Sequence, residues 1–244
     1  MSTDAVILAG GTGTRLRPFT VSIPKPLVPL GDEPIIEILL RQLAANGITR
    51  VHLALGHLAP LMKAYFDQVS QRHEVEILYS FEDRPLGTVG PIRRIQGLGE
   101  TFLLINGDIL TTLSFGDLIK WHRGAGCIAT LAVHRRAVSV DYGVIEVASD
   151  GHVLSHKEKP SLEFTVGMGI YVFDHRIIDF IPVDQKFDLP DLVRVLITRG
   201  EPVATYRSED YWMDIGRPED YDVAHRDYVA CPERFVKPRE TGRR

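Results

Sequence analysis

Between residues 5 and 106, short apolar runs alternate with longer stretches of helical periodicity. No other feature restricts the fold so severely. Residues 5–9, AVILA, read as a buried strand. Residues 35–46 carry Ile35, Ile38, Leu39 and Leu43 at helical spacing, and Asn46-Gly47 supplies a left-handed stop. Further strands are expected at 51–55, 75–79 and 102–106, and helices at 60–69 and 88–98, the last ended by Gly99. Strands separated by helices line up as a mostly parallel sheet with helices on both faces, joined by right-handed crossovers. Ligands of such sheets sit at the carboxyl ends of the strands. Residues 10–17 and 106–108 follow two of those ends, so they are expected to share one mouth.

The expected class is thus α/β and Rossmann-like, with a mixed, more β-rich second half. There, strands are expected at 127–134, 144–147, 153–157 and 169–173, joined without long helices, and helices at 189–198 and 218–229. No linker composition and no repeat divides the chain. One domain is expected over 1–231, with a first part at about 1–110 and a second at about 111–231, and a loose charged tail at 232–244. The 244 residues suffice for a sizeable core. A formal net charge of −4 argues against a general nucleic-acid binder. No run approaches the roughly 18 apolar residues of a membrane helix, and residues 5–9 are too short for a secretory signal. Cys127 and Cys231 form no CxxC, which points to a reduced, cytoplasmic protein. His52, His57 and His134 are scattered and read as surface or core residues rather than metal ligands.

The loop after the first strand, GGTGTRLRPFT, fits neither common phosphate fingerprint. A dinucleotide loop starting at Gly11 needs glycine where Leu16 stands, and a Walker loop needs Gly-Lys-Ser/Thr at its end. What remains is a turn whose backbone N–H groups can face an anion, followed by Arg15 and Arg17. Pro24 and Pro26 then flank Lys25 and restrict the backbone on both sides of it, which suits a cation held in place. A surface loop rich in Pro and Gly is the plain alternative.

Gly10, Gly11, Gly13, Thr14, Arg15, Leu16, Pro18 and Thr20, followed by Pro24, Lys25, Pro26 and Leu27, closely resemble the signature of the sugar-1-phosphate nucleotidyltransferases. PLGTVGPI at 85–92, NGD at 106–108, DYGVI at 141–145, EKP at 158–160, GIYVF at 169–173 and YWMDIGRPEDY at 211–221 follow in the family's order. The resemblance implies in-line attack of a sugar phosphate oxygen on the α-phosphorus of an NTP, releasing pyrophosphate without a covalent intermediate. Two polyanions meeting at one phosphorus need cations more than a nucleophile. By resemblance, Arg15 holds the β- and γ-phosphates, and Lys25 neutralises charge at the α-phosphate. Asp108 and Asp214 hold Mg²⁺. Leu8, Gly10, Gly11, Gly13, Thr14, Glu82, Gly87 and Thr88 form the nucleotide side. Lys159 binds the sugar's phosphate, Glu158 its hydroxyls, and Gly143 lets the sugar approach the backbone. Read singly, Asp214 could instead brace the turn before Gly216 and Pro218, Lys159 could be a solvated strand end, and Glu82 a surface charge beside Asp83 and Arg84. Trp212 reads as packing and 188–192 as a helix start. Arg17 and Arg217 have no assigned role.

A carboxylate offers only acceptors, so Glu82 would suit the paired N1–H and N2–H donors of guanine, whereas pyrimidine-specific relatives tend to carry glutamine near this point. With the PLGTVGPI stretch, this favours GTP and mannose or heptose 1-phosphate as substrates. The alternatives are a thymidylyl-, uridylyl- or cytidylyltransferase acting on a hexose 1-phosphate, and a non-catalytic subunit that senses nucleotide sugars. Gly167-Met168 stands where many relatives have Asn-Ala, which leaves the sugar open. The chain ends after the catalytic part, so no β-helix module is expected. A homodimer is compatible with the resemblance.

Overall fold

The computed structural model describes residues 3–69 and 73–236. Its elements in chain order are β1 (Asp4–Ala9), β2 (Pro29–Leu30), β3 (Glu33–Pro34), α1 (Ile35–Ala45), β4 (Arg50–Leu55), α2 (Ala59–Val69), β5 (Glu76–Phe81), β6 (Thr101–Asn106) and β7 (Ile109–Thr111). They continue with α3 (Phe115–Ala125), β8 (Ala129–Ser139), β9 (Val144–Val147), β10 (Val153–Lys157), β11 (Ser161–Asp174), α4 (Leu189–Thr198), β12 (Val203–Arg207), β13 (Trp212–Asp214) and α5 (Pro218–Ala230). Among the described residues the central sheet has seven strands in the order β12-β8-β11-β6-β1-β4-β5. Only β11 runs against the rest, pairing antiparallel with β6 and β8. This is the expected α/β class with a mostly parallel sheet.

The strands bury both faces because their side chains alternate. Ala5, Ile7 and Ala9 of β1, with Leu103 and Ile105 of β6, join a core under α1, α2 and α3. Val6, Phe102 and Leu104 face the other way, towards Ile92, Ile177, Leu192 and Leu196. Leu39 and Leu43 of α1 are fully buried; each contributes about 1.5–3 kcal/mol by leaving water. A third cluster, built on Leu16, Val28, Leu30, Ile35 and Ile215, fastens the long connection after β1 against α5.

Two expectations need correction, and one helix was not anticipated. No α-helix spans 88–98; only a 3-10 turn, Gly90–Arg94, forms there. Pro91 and the β-branched Val89, Ile92 and Ile95 disfavour a helix, and the N–H groups of Val89 and Gly90 bond instead to Phe187 O, both at 3.1 Å. α3, in contrast, lies in a stretch for which no element was expected. Ser114 caps it by accepting from Asp117 N at 3.2 Å, Phe115, Leu118, Ile119 and His122 form its buried stripe, and Gly126, at φ 63°, ends it. The loose tail starts later than 232: Phe235 is buried against Tyr211 and Tyr228, and its carbonyl accepts from Gln42 Nε2 at 2.6 Å. Residues 237–244 of that tail lie outside the described residues.

Beyond Val133 and Gly167, β8 and β11 leave the sheet and pair only with each other. With the β9–β10 hairpin they form a projecting arm. Among the described residues no helix is long and apolar enough to cross a membrane.

Candidate active site

β1 ends at Ala9, and Gly10 accepts a bond from His57 N at 3.1 Å. A Cβ on Gly10 would lie 2.8 Å from Glu82 Oε1 and 3.3 Å from Gly56 N, so glycine is required by close approach. Next door, Gly107 N donates to Leu8 O at 2.9 Å, and a Cβ on Gly107 would meet the same oxygen at 2.8 Å. These contacts bring the ends of β1, β5 and β6 to one mouth. The cleft there is about 310 Å³. Leu8, Gly10, Gly11, Glu82, Gly87, Thr88 and Asp108 are among the residues that line it. Gly13 and Thr14 do not line it. Gly13 turns the loop at φ 60° into a 3-10 turn, Thr14–Leu16, and Thr20 Oγ1 clamps that turn by donating to Gly13 O at 2.7 Å.

The loop's cations are aimed by what lies between them. Leu16 is fully buried, so Arg15 and Arg17 on either side project outward. Arg15 crosses to the turn after β13, where a Cβ on Gly216 would lie 3.4 Å from its Nη2. Arg17 has no side-chain partner among the described residues. Lys25 opens a 3-10 turn, Lys25–Leu27, set by Pro24 and Pro26, and its Nζ donates to Asp108 Oδ2. Their side chains are only 12% and 18% exposed, so water screens the pair weakly.

Asp108 follows β6, and its carbonyl accepts from Ile215 N at 3.0 Å. β7 and β13 pair in antiparallel register, Ile109 opposite Asp214, which sets the two carboxylates side by side. Burial, and then the Asp108 charge, raise the Asp214 pKa, against the opposing pull of Lys25 and Arg15. Asp108 Oδ1 is buried and has no hydrogen-bond partner. No group of three or more His, Cys, Asp or Glu suited to a metal occurs among the described residues. An orphaned buried carboxylate oxygen beside a second carboxylate, and no third protein ligand, is the donor set of a hard cation that keeps water and substrate oxygens in its shell.

The other predicted group lies on the arm. Glu158 approaches Gly143, whose Cβ would lie 3.1 Å from Glu158 Oε2. Lys159 follows at φ 44°, a left-handed conformation rare for a residue with a side chain, and strain of this kind gathers at functional sites. Among the described residues no hydrogen bond or ion pair joins this group to Arg15, Lys25, Asp108 or Asp214.

Asp188 lines the cleft, and sequence reasoning did not place it there. It precedes α4, where a helix start was expected, and its Oδ1 accepts from Thr88 N at 3.0 Å. Thr88 Oγ1 in turn accepts from Leu189 N at 2.7 Å. Gly87, at φ 82°, could carry no side chain here, since a Cβ would sit 2.6 Å from Asp188 Oδ1. Nothing local in the sequence pairs residue 88 with residue 188. Trp212 packs: its Nε1 donates to Met168 O at 2.8 Å. His52 is buried on β4, where desolvation lowers its pKa, and His134 Nδ1 bonds to Ser208 O at 2.9 Å.

The comparisons fit this geometry. The profile of the Nucleotidyl transferase family matches residues 4–230. The chain belongs to that family. It is 37% identical over 243 residues to a UTP–glucose-1-phosphate uridylyltransferase from Synechocystis sp., covering 91% of this chain and 62% of that protein. It is 32% identical to a mannose-1-phosphate guanyltransferase beta-B from Xenopus laevis, covering 89% of this chain and 62% of that one. The chain thus spans under two thirds of the length of these relatives. HddC from Yersinia pseudotuberculosis superposes with a TM-score of 0.70 at 27% identity, over 93% of this chain and 99% of its own.

Proposed function

We propose that this chain transfers a nucleotidyl group from an NTP to a sugar 1-phosphate, giving an NDP-sugar and pyrophosphate, with GTP and mannose or heptose 1-phosphate as the favoured pair. The observation that carries the transfer is the convergence of Lys25, Asp214 and Arg15 on Asp108, which lines a glycine-rich cleft. Lys25 sits where it offsets charge developing on the α-phosphate. Arg15, exposed at the rim, suits the β- and γ-phosphates that depart. Asp108 and Asp214 would hold Mg²⁺, which, when bound, neutralises triphosphate charge and orients the reacting oxygens. No side chain here is placed as a covalent nucleophile; the sugar phosphate supplies the attacking oxygen.

For the base, Glu82 supports guanine. Its carboxylate faces the cleft beside Gly10, and Oε2 is held by Leu86 N at 2.9 Å. A fixed acceptor-only group matches two adjacent donors on a purine edge. HddC, a neighbour over most of the chain, has also been crystallised with GMP-PN. The 37% identity to a uridylyltransferase favours a second reading, UTP with glucose 1-phosphate. Purified protein with Mg²⁺, offered GTP, UTP, dTTP, CTP and ATP against mannose, glucose and heptose 1-phosphates, is expected to release pyrophosphate fastest with GTP. Turnover of UTP or dTTP but not GTP would overturn the guanine assignment, and no Mg²⁺-dependent release in any pairing would overturn the transfer itself.

A further inference from the structure

We propose that His156 is a specificity-determining residue that reads the sugar together with Glu158, the pair gripping two neighbouring hydroxyls of the sugar 1-phosphate. The inference rests on the reading of residues 143–159 as the sugar-phosphate side of the site. His156 lies on β10 and Glu158 follows directly after its last residue, Lys157, and both side chains come over Gly143. A methyl on Gly143 would lie 2.7 Å from His156 Nε2 and 3.1 Å from Glu158 Oε2. The glycine therefore makes room for two polar groups at once, and both converge over bare backbone.

Neither side chain has a hydrogen-bond or ion-pair partner among the described residues. This contrasts with the neighbouring Ser155, whose hydroxyl donates to Glu146 Oε2 at 2.8 Å across the hairpin. The backbone is committed to this arrangement. His156 is locked opposite Ile145, and an irregularity in pairing between Val153 and Ser155 sets the register that aims it. Directly after Glu158, Lys159 takes its left-handed conformation. Free donors and acceptors gathered over a glycine, next to strained backbone, mark a surface shaped for a ligand.

The chemistry of the pair selects the ligand. A carboxylate only accepts, and an imidazole N–H donates. Together they take a donated hydrogen from one hydroxyl and give one to its neighbour. Such a grip suits a vicinal diol, and it senses the orientation of each hydroxyl, which separates epimeric sugars. An apolar ring at 156 would leave Glu158 to act alone.

The test compares His156→Phe and His156→Gln with the wild type, using the NTP that the wild type turns over and both glucose 1-phosphate and mannose 1-phosphate, which are epimers. Kinetics are paired with calorimetric titration of each sugar phosphate, and with melting curves to verify folding. Losing one hydrogen bond is expected to raise KM and Kd for the preferred sugar phosphate about 3- to 10-fold in His156→Phe. The KM for the NTP stays unchanged and the preference between the epimers narrows. His156→Gln, which keeps a donor, recovers most of both. Unchanged sugar affinity and epimer preference in a folded His156→Phe, while Lys159→Ala weakens sugar binding, would overturn the role of His156 alone. If Lys159→Ala and Glu158→Gln also leave sugar affinity unchanged, the reading of residues 143–159 falls, and this proposal with it.

Discussion

Lys25 shows how one side chain can serve the fold and, under the proposed function, the reaction. It neutralises Asp108 in a weakly hydrated setting next to Asp214. Lys25→Ala leaves two neighbouring carboxylates with less compensation and removes a cation from the phosphate path. The expected result is a fall in kcat of about 10²–10³-fold, typical of losing one pre-aligned charge-stabilising group, measured as pyrophosphate release. Glu82 gives a pH signature. Burial raises its pKa, partly opposed by the bond from Leu86 N. Because the folded value lies above the unfolded one, the group's favourable contribution is complete below the unfolded carboxylate range, near about 4.3, and is lost as pH rises through the folded value. At neutral pH the protein therefore carries the cost of a half-buried charge. Glu82→Gln is expected to melt higher than the wild type at pH 7, with the gap closing towards pH 4, in thermal scans across pH. Under the guanine reading the same substitution is expected to weaken GTP binding, because an amide presents one acceptor where a carboxylate presents two.

Among the elements, the 86–90 segment and the start of α4 act as one unit. Phe187 N donates to Leu86 O at 2.9 Å, Phe187 O accepts from Val89 and Gly90, and Asp188 accepts from Thr88. These bonds replace the helix that hydrophobic spacing alone suggested. Asp188→Ala removes the Thr88 anchor, at about 0.5–1.5 kcal/mol for one hydrogen bond. For a chain this size that lowers Tm by a few degrees, at about 2–4 °C per kcal/mol. The discriminating result is kinetic: KM for the NTP rises as the segment loosens, while KM for the sugar 1-phosphate stays constant. The elements whose signals are local were legible from residues alone. β9, β10 and α4 fall at their expected positions, and α1 and α5 differ only at their ends, because alternation, caps and a stop glycine act within a few residues. The signal for α3 is equally local, in the Ser114 cap and the buried stripe that follows it.

At the scale of the whole molecule, the two parts of the chain share one sheet. β11 and β8, from the second part, sit between β12 and β6, and β11 hydrogen-bonds directly to β6 of the first. Removing residues 111–231 would strip β6 of a neighbour and uncover the face of Phe102, which rests on Phe173 with ring centroids 5.8 Å apart. The full chain is therefore expected to unfold in a single calorimetric transition, and a fragment of residues 1–110 to show none. Phe173→Ala should lower the one midpoint, at a cost of about 3–5 kcal/mol, without splitting it. Two well-separated transitions would mean that the parts fold independently. By itself the sequence determined the class of sheet, the cationic glycine loop and the identity of most cleft residues, since periodicity, turn chemistry and an ordered set of short segments all act locally. Only the tertiary structure decided that Asp188 anchors Thr88, that His156 meets Glu158 over Gly143, and that Asp108 keeps a buried oxygen without a partner. Each depends on pairings between distant strands and loops, and contacts across long sequence separations leave no periodic trace in the chain that forms them.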